Sequence, residues 1–161
     1  MDLIKIPKMK KAEYDQLISE EHVCRMAFKG DEHPYIAPFL YVFDGGFMYF
    51  LSTKYGKKIK YFQQDPHVSV EVERYEPDLS HYSFVTLRGK LTEITNSEEK
   101  RSIRRLFVGL IRKKNLSKNV LEALGHSNKD PLEAIVEKDR SRIWKLVDVK
   151  EIIGLKNTKQ P

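Results

Sequence analysis

Cysteine is nearly absent. Cys24 stands alone in 161 residues, so neither an intrachain disulfide framework nor a four-thiolate zinc site can be built. A reducing cytoplasm is the compartment this implies. The chain also lacks a long apolar run: the opening MDLIKIPKMKK is broken by lysines and a proline, and no later stretch reaches the roughly 20 apolar residues of a membrane span. A soluble protein with no membrane partner is expected. The five histidines, His22, His33, His67, His81 and His126, form no i, i+4 pair, and no metal site is expected from them. No internal repeat or low-complexity tract interrupts the chain.

What is present is enough for one folded domain. Hydrophobic residues make up 40% of the sequence, so a chain of this length can bury a core unaided; residues 1–161 are read as a single domain. The net charge of +6 suits an anionic partner, with the class of anion left open.

Tyr14, Leu17 and Ile18 recur at helical spacing and predict a short amphipathic helix over 10–21. Strand formers follow at 23–29 and 35–43, joined by a Gly-Asp-Glu-His-Pro turn. Asp44-Gly45-Gly46 is a hairpin signal, leading to a strand at 47–51. Residues 52–64 read as a polar turn and a short helix, ended by Asp65-Pro66. Strands are predicted at 67–74 and 83–95, the second bent at Gly89. A capping-box pattern at 95–98 opens a helix with Ile103, Leu106, Phe107, Leu110 and Ile111 on one face. A further helix is expected from Ser117 to Gly125, and a last strand at 142–149. Strands grouped as a meander, with residues 97–138 as a helical insertion, predict a mainly β fold, an antiparallel barrel with added helices. The strand at 35–43 is apolar almost throughout, so one face should meet the core and the other a ligand or a second subunit. Pro38 suggests an edge position or an interrupted ladder.

The segment Ser52-Thr53-Lys54-Tyr55-Gly56-Lys57-Lys58 carries the clearest chemistry. Hydroxyls and adjacent ammonium groups lie at a helix start, where free N–H groups already favour an anion. On residue types alone this is either a phosphate site or an ordinary capped, solvated basic helix. Cys24 reads as a core thiol. Trp144, alternating with Ile143 and Leu146, reads as a core or interface contact. The basic residues between Lys100 and Lys114 are those of a solvated helix face, and nucleic acid is not the expected partner.

The order of His33-Pro34-Tyr35, Asp44-Gly45-Gly46, Phe47 to Ser52, Gly56-Lys57-Lys58 and Asp65-Pro66-His67-Val68-Ser69-Val70 resembles the pyridoxamine 5'-phosphate oxidase superfamily. The likeness is to its smaller flavin-binding branch, which includes nitroimidazole-resistance-type proteins, and it covers about residues 10–95. The resemblance implies a split β-barrel that binds FMN at a homodimer interface. It implies flavin-ring contacts from Ala37, Pro38, Phe39 and Leu40, largely through the backbone. Ser52 and Thr53 would reach the phosphate or ribityl chain, Lys57 and Lys58 would bind the phosphate, and Trp144 is included as a ring contact. The expected activity is that of an FMN-dependent oxidoreductase acting on a small molecule, the alternative being a flavin, deazaflavin or haem binding or storage protein. Phe84 stands where relatives often carry a flavin-contacting glutamine, and Leu51 where nitroimidazole-resistance proteins often carry histidine. The C-terminal tryptophan and arginine block of the vitamin B6 oxidases is missing, so that reaction is not expected.

Overall fold

A computed structural model describes residues 2–158; the expected domain's residue 1 and residues 159–161 lie outside the described residues. The elements in chain order are α1 (Lys11–Glu20), β1 (Val23–Phe28), β2 (Tyr35–Phe43), β3 (Met48–Thr53), α2 (Lys57–Gln64), β4 (His67–Tyr75) and β5 (Tyr82–Glu93). They are followed by α3 (Ser97–Lys113), α4 (Val120–Ala123), α5 (Ala134–Glu137) and β6 (Ser141–Asn157). The six strands close into an antiparallel barrel in the order β1-β2-β3-β6-β5-β4, with β4 returning to β1.

Side-chain alternation explains why these segments are strands. Cys24, Met26 and Phe28 of β1, Val68, Val70 and Val72 of β4, and Val85 and Leu87 of β5 all turn into one core. Trp144 sits within it, its ring near those of Phe28, Phe39 and Phe62. A second core fills the space between the barrel and the helical insertion. There Tyr49, Leu51 and Ile143 meet Ile103, Phe107, Val108 and Ile111 of α3, together with Leu121, Leu124 and Ile135. Each of the larger of these side chains contributes about 1.5–3 kcal/mol on burial, which fixes the insertion to the barrel wall. All six residues of β3 are buried because it is covered on both faces.

The hairpin expected at Asp44 is present, with Asp44 Oδ1 accepting from the N–H groups of Gly46 at 2.9 Å and Phe47 at 2.7 Å. The bend expected at Gly89 is a bulge, where the β5–β6 register shifts between Arg88 and Lys90. A Cβ there would lie 2.7 Å from the Val147 carbonyl oxygen, so only glycine lets the strands approach.

Some boundaries differ from expectation. Ser52 and Thr53 belong to β3 and pair with Arg142 and Ser141; their polarity suggested a turn, but β6 gives their backbones strand partners. The helix expected over 117–125 contracts to α4, a single turn stopped before Gly125 at φ 88°. The four-residue α5 was not anticipated, being too short to show a period. At α3 the cap is Asn96, whose side chain accepts from the Glu99 N–H at 3.0 Å; Thr95 makes no capping box. Strand β6 continues past Val149 to Asn157, because the bulge and Asp148 at φ 49° shift the alternation that would have revealed it.

Candidate functional site

The barrel is split at one seam, and the expected anion segment lies along it. Strand β2 pairs with β1 from Tyr35 to Leu40, but with β3 only over Tyr41–Phe43. Tyr41 donates its N–H to His22 O at 3.0 Å. Counting back in the alternating ladder, residues 35, 37 and 39 point their backbone groups at β1, while 36 and 38 point theirs away from it. On that side β3 has already parted from β2 to follow β6. The seam therefore exposes a row of strand backbone, and Pro38 occupies it without an N–H to leave unpaired. The expected interruption of the ladder is what Pro38 marks, since the side of β2 left open at Pro38 is paired with β3 from Tyr41 onward.

Only one face of β2 is fully apolar-packed. Ala37 and Phe39 turn into the barrel core, Leu40 packs partly against the second core, and Ile36 and Pro38 face outward and are exposed. Any group lying along the seam would meet the backbone groups of Ile36 and Pro38, because those of Ala37 and Phe39 are turned to β1.

Helix α2 covers the mouth of the barrel beside this seam. Ile59 enters the core, Phe62 lies with its ring 4.9 Å from that of Trp144, and Tyr61 lies 5.3 Å from Tyr35. Its N-cap, Gly56, has φ 106° and offers no side-chain cap. That left-handed geometry favours glycine. With no side chain bonded over the first turn, the N–H groups of Lys57 and Lys58 keep their capacity for an external acceptor, while that of Ile59 donates to Gly56 O at 3.2 Å.

The cations on this turn differ in setting. Lys57 is exposed. Lys58 is half-buried, its Nζ 5.4 Å from the centre of the Phe39 ring, and burial lowers its pKa below the ordinary lysine value. Its environment supplies a ring face, and among the described residues no carboxylate pairs with it. A half-buried ammonium without a counter-ion is a poor structural choice and a good anion ligand.

The two hydroxyls are not brought together. Ser52 follows the inward alternation of Met48 and Phe50, and its Oγ donates to Thr53 O at 2.8 Å. Thr53 follows Leu51 toward the helical insertion, and its Oγ1 donates to Tyr55 O at 3.2 Å. Each must rotate its proton before donating to a ligand.

A concavity of about 690 Å³ lies elsewhere, on the outer face of β1, β4, β5 and β6 around Ala27, Ser69, Arg88 and Lys150. Within one chain the seam is an open edge.

The family model described as pyridoxamine 5'-phosphate oxidase matches residues 10–137. The chain belongs to the pyridoxamine 5'-phosphate oxidase family. Solved structures with the same split-barrel fold include an FAD-binding protein from Mesorhizobium loti, 19% identical with a TM-score of 0.70, covering 96% of this chain and 99% of that one. A protein from Bacteroides thetaiotaomicron described as a 5-nitroimidazole antibiotic resistance protein is 20% identical with a TM-score of 0.65, covering 94% and 87%. An FAD-binding protein from Mycobacterium smegmatis is 13% identical with a TM-score of 0.64, covering 94% and 99%. A comparison with curated proteins finds no match.

Against the positions that the pyridoxamine 5'-phosphate oxidase family brings to attention, three placements are informative. Trp144 is fully buried in the barrel core with its Nε1 unpartnered, so flavin stacking by Trp144 is corrected to a core role; its inward alternation decides this. Leu51 is buried in the second core. Phe84 lies on β5, half-exposed, opposite Glu73 and Leu155.

Sequence reasoning missed Arg104 and Asp139. Arg104 is 3% exposed on the apolar side of α3, and its Nη2 bonds Asp139 Oδ1 at 2.7 Å and Ser141 O at 2.8 Å. A guanidinium three residues from Phe107 and four from Val108, on a helix face otherwise apolar, was the available signal.

Proposed function

We propose that the chain is an FMN-binding flavoprotein that acts as an oxidoreductase on a small molecule, with the FMN phosphate at the N-terminus of α2. The observation that carries this reading is the half-buried, uncompensated Lys58 ammonium beside uncapped N–H groups and an unpaired strand edge. Lys57 and Lys58 neutralise the phosphate, and Ser52, fully buried and turned inward, serves it or the ribityl chain only by giving up its bond to Thr53 O. Thr53 does so only by turning away from the insertion. Along 37–40, Pro38 and Leu40 turn their backbone groups toward the ring, and Ala37 and Phe39, bonded to β1, hold the strand in place beside it. When bound, the flavin supplies the electron transfer; the protein's part is to hold it and to exclude water from one side.

A second copy of the chain is the natural cover for the open seam. Ile36 is 64% exposed and Val23 52% exposed on the same outer surface, a setting in keeping with a homodimer that encloses the ring. The lone buried thiol is in keeping with a cytoplasmic location.

Two further readings have specific support. Relatives named as FAD-binding favour a dinucleotide flavin at the same seam. Binding without turnover is favoured by the residue types at the site: neither 36–40 nor 52–58 contains a carboxylate, imidazole or thiol to move a proton. Titration of the purified protein with FMN, FAD and riboflavin, read by flavin fluorescence, tests the reading. Saturable quenching with FMN preferred over riboflavin is expected, and no quenching by any flavin refutes it. Reduction of the flavin-loaded protein by NADH or NADPH, followed by acceptor turnover, separates an enzyme from a binding module.

A further inference from the structure

Among the three lysines of the anion segment, Lys54 is set apart. Its Nζ lies 3.6 Å from Asp139 Oδ2, a carboxylate that two other cations already hold more closely. Arg104 Nη2 is at 2.7 Å and Lys100 Nζ at 2.9 Å, both on Asp139 Oδ1. These two hydrogen bonds, that of Arg104 first, keep the Asp139 carboxyl well below the usual carboxylate range. Arg104 is itself fixed by burial and by its bond to Ser141 O, and Ser141 is the strand partner of Thr53. The insertion thus presents a firmly oriented, ionised carboxylate to the residue that follows β3.

We propose that Lys54 is a further ligand for the phosphate of the bound flavin, and that Asp139 is its resting place in the unliganded protein. The inference rests on the flavin reading of the same site. The charge count supports it: one carboxylate shared by three cations leaves the most distant and most exposed of them weakly held. Lys54 is 48% exposed at its side chain, against 20% for Lys100 and 4% for Arg104. A phosphate dianion two to four residues along the chain offers a stronger partner than a third share of Asp139. When Lys54 leaves, Asp139 keeps Arg104 and Lys100, so no buried charge is stranded. Release of Lys54 also uncouples the loop from the helical insertion, so occupancy of the anion site is communicated to α3 through one ion pair.

The test compares wild type, Lys54→Gln and Asp139→Asn as full chains, each titrated with FMN, with riboflavin and with inorganic phosphate, the last followed by NMR shifts of the residue 52–60 amides. Lys54→Gln is expected to weaken FMN about three- to tenfold and to leave riboflavin unchanged. Asp139→Asn is expected to bind FMN as tightly as wild type or tighter, because it removes a competitor for Lys54. Phosphate should move the Lys100 and Arg104 side-chain signals in wild type and not in Lys54→Gln. Equal effects of Lys54→Gln on FMN and riboflavin, or none on either, overturn the proposal, as does a loss of FMN affinity in an Asp139→Asn protein whose melting curve is unchanged. If wild type binds no flavin, the functional reading has failed by itself. The Lys54 proposal is then overturned if phosphate too binds Lys54→Gln as it binds wild type.

Discussion

Replacing Lys58 by methionine isolates the charge while keeping the stem that packs on Phe39. At about 4 Å and an effective dielectric of about 20, two unit charges attract by about 4 kcal/mol. Lys58 is only half-buried, so solvent reduces this toward the about 1.5–3 kcal/mol of a charged hydrogen bond. At about 1.4 kcal/mol per tenfold, FMN affinity should fall by about ten- to a hundredfold in Lys58→Met. Riboflavin, which lacks the phosphate, should bind within about twofold of wild type. Fluorescence titration of both ligands on both proteins is the assay.

The same variant makes a statement about the unliganded protein. Because burial lowers the folded-state pKa of Lys58, the unfolded chain holds that proton more tightly. The resulting penalty is present at neutral pH and vanishes as pH rises from the folded value toward the ordinary 10.5. Lys58→Met should therefore be at least as stable as wild type at pH 7, and the difference should shrink as pH approaches 10.5. Equal losses of FMN and riboflavin, or a variant markedly less stable at pH 7, would refute the assignment of Lys58 to an anion.

Three other outcomes are expected. Gly89→Ala drives a Cβ to 2.7 Å from the Val147 carbonyl and should cost about 1–3 kcal/mol in urea unfolding; an unchanged midpoint would show that the bulge yields freely. His126 is 4% exposed with both ring nitrogens unpartnered. Burial lowers its pKa below 6.5, so the protein should lose stability as pH falls from about 6.5 toward the folded value, and His126→Leu should flatten that slope; parallel curves would exclude His126 as the cause. Ile36→Lys, on the exposed face of β2, should convert the proposed dimer to a monomer in light scattering and weaken FMN and riboflavin alike, whereas an unchanged mass would refute a subunit interface at Ile36.

Much of the barrel was legible because its strands carry strict alternation between clear turn signals, as in Val68, Val70 and Val72 after Asp65-Pro66. The hairpin at Asp44 and the bend at Gly89 were legible for the same local reason. The end of β3 was not, because Ser52 and Thr53 are polar, and only the distant partners Arg142 and Ser141 make them strand. The far half of β6 was hidden by the bulge, which breaks the period on which recognition depends. At the site, the interrupted ladder at Pro38 was readable from residue types, while the opposite facing of Ser52 and Thr53 required the register. The inward direction of Trp144 likewise follows from pairing with Phe50 and Glu93. Arg104 shows the limit in the other direction: the sequence displayed it on an apolar stripe, but its partner Asp139 lies 35 residues away.

The position of β6 has a consequence for biosynthesis. It is the last strand in chain order, yet it sits between β3 and β5 and touches both. Until it emerges from the ribosome, the five earlier strands form a sheet with two bare margins at β3 and β5, and the helical insertion has only part of its docking surface. Those margins are open to pairing with neighbouring nascent chains. Slow synthesis through residues 97–140 would prolong that exposed interval, so the yield of folded protein should respond to translation speed in that stretch more than anywhere earlier.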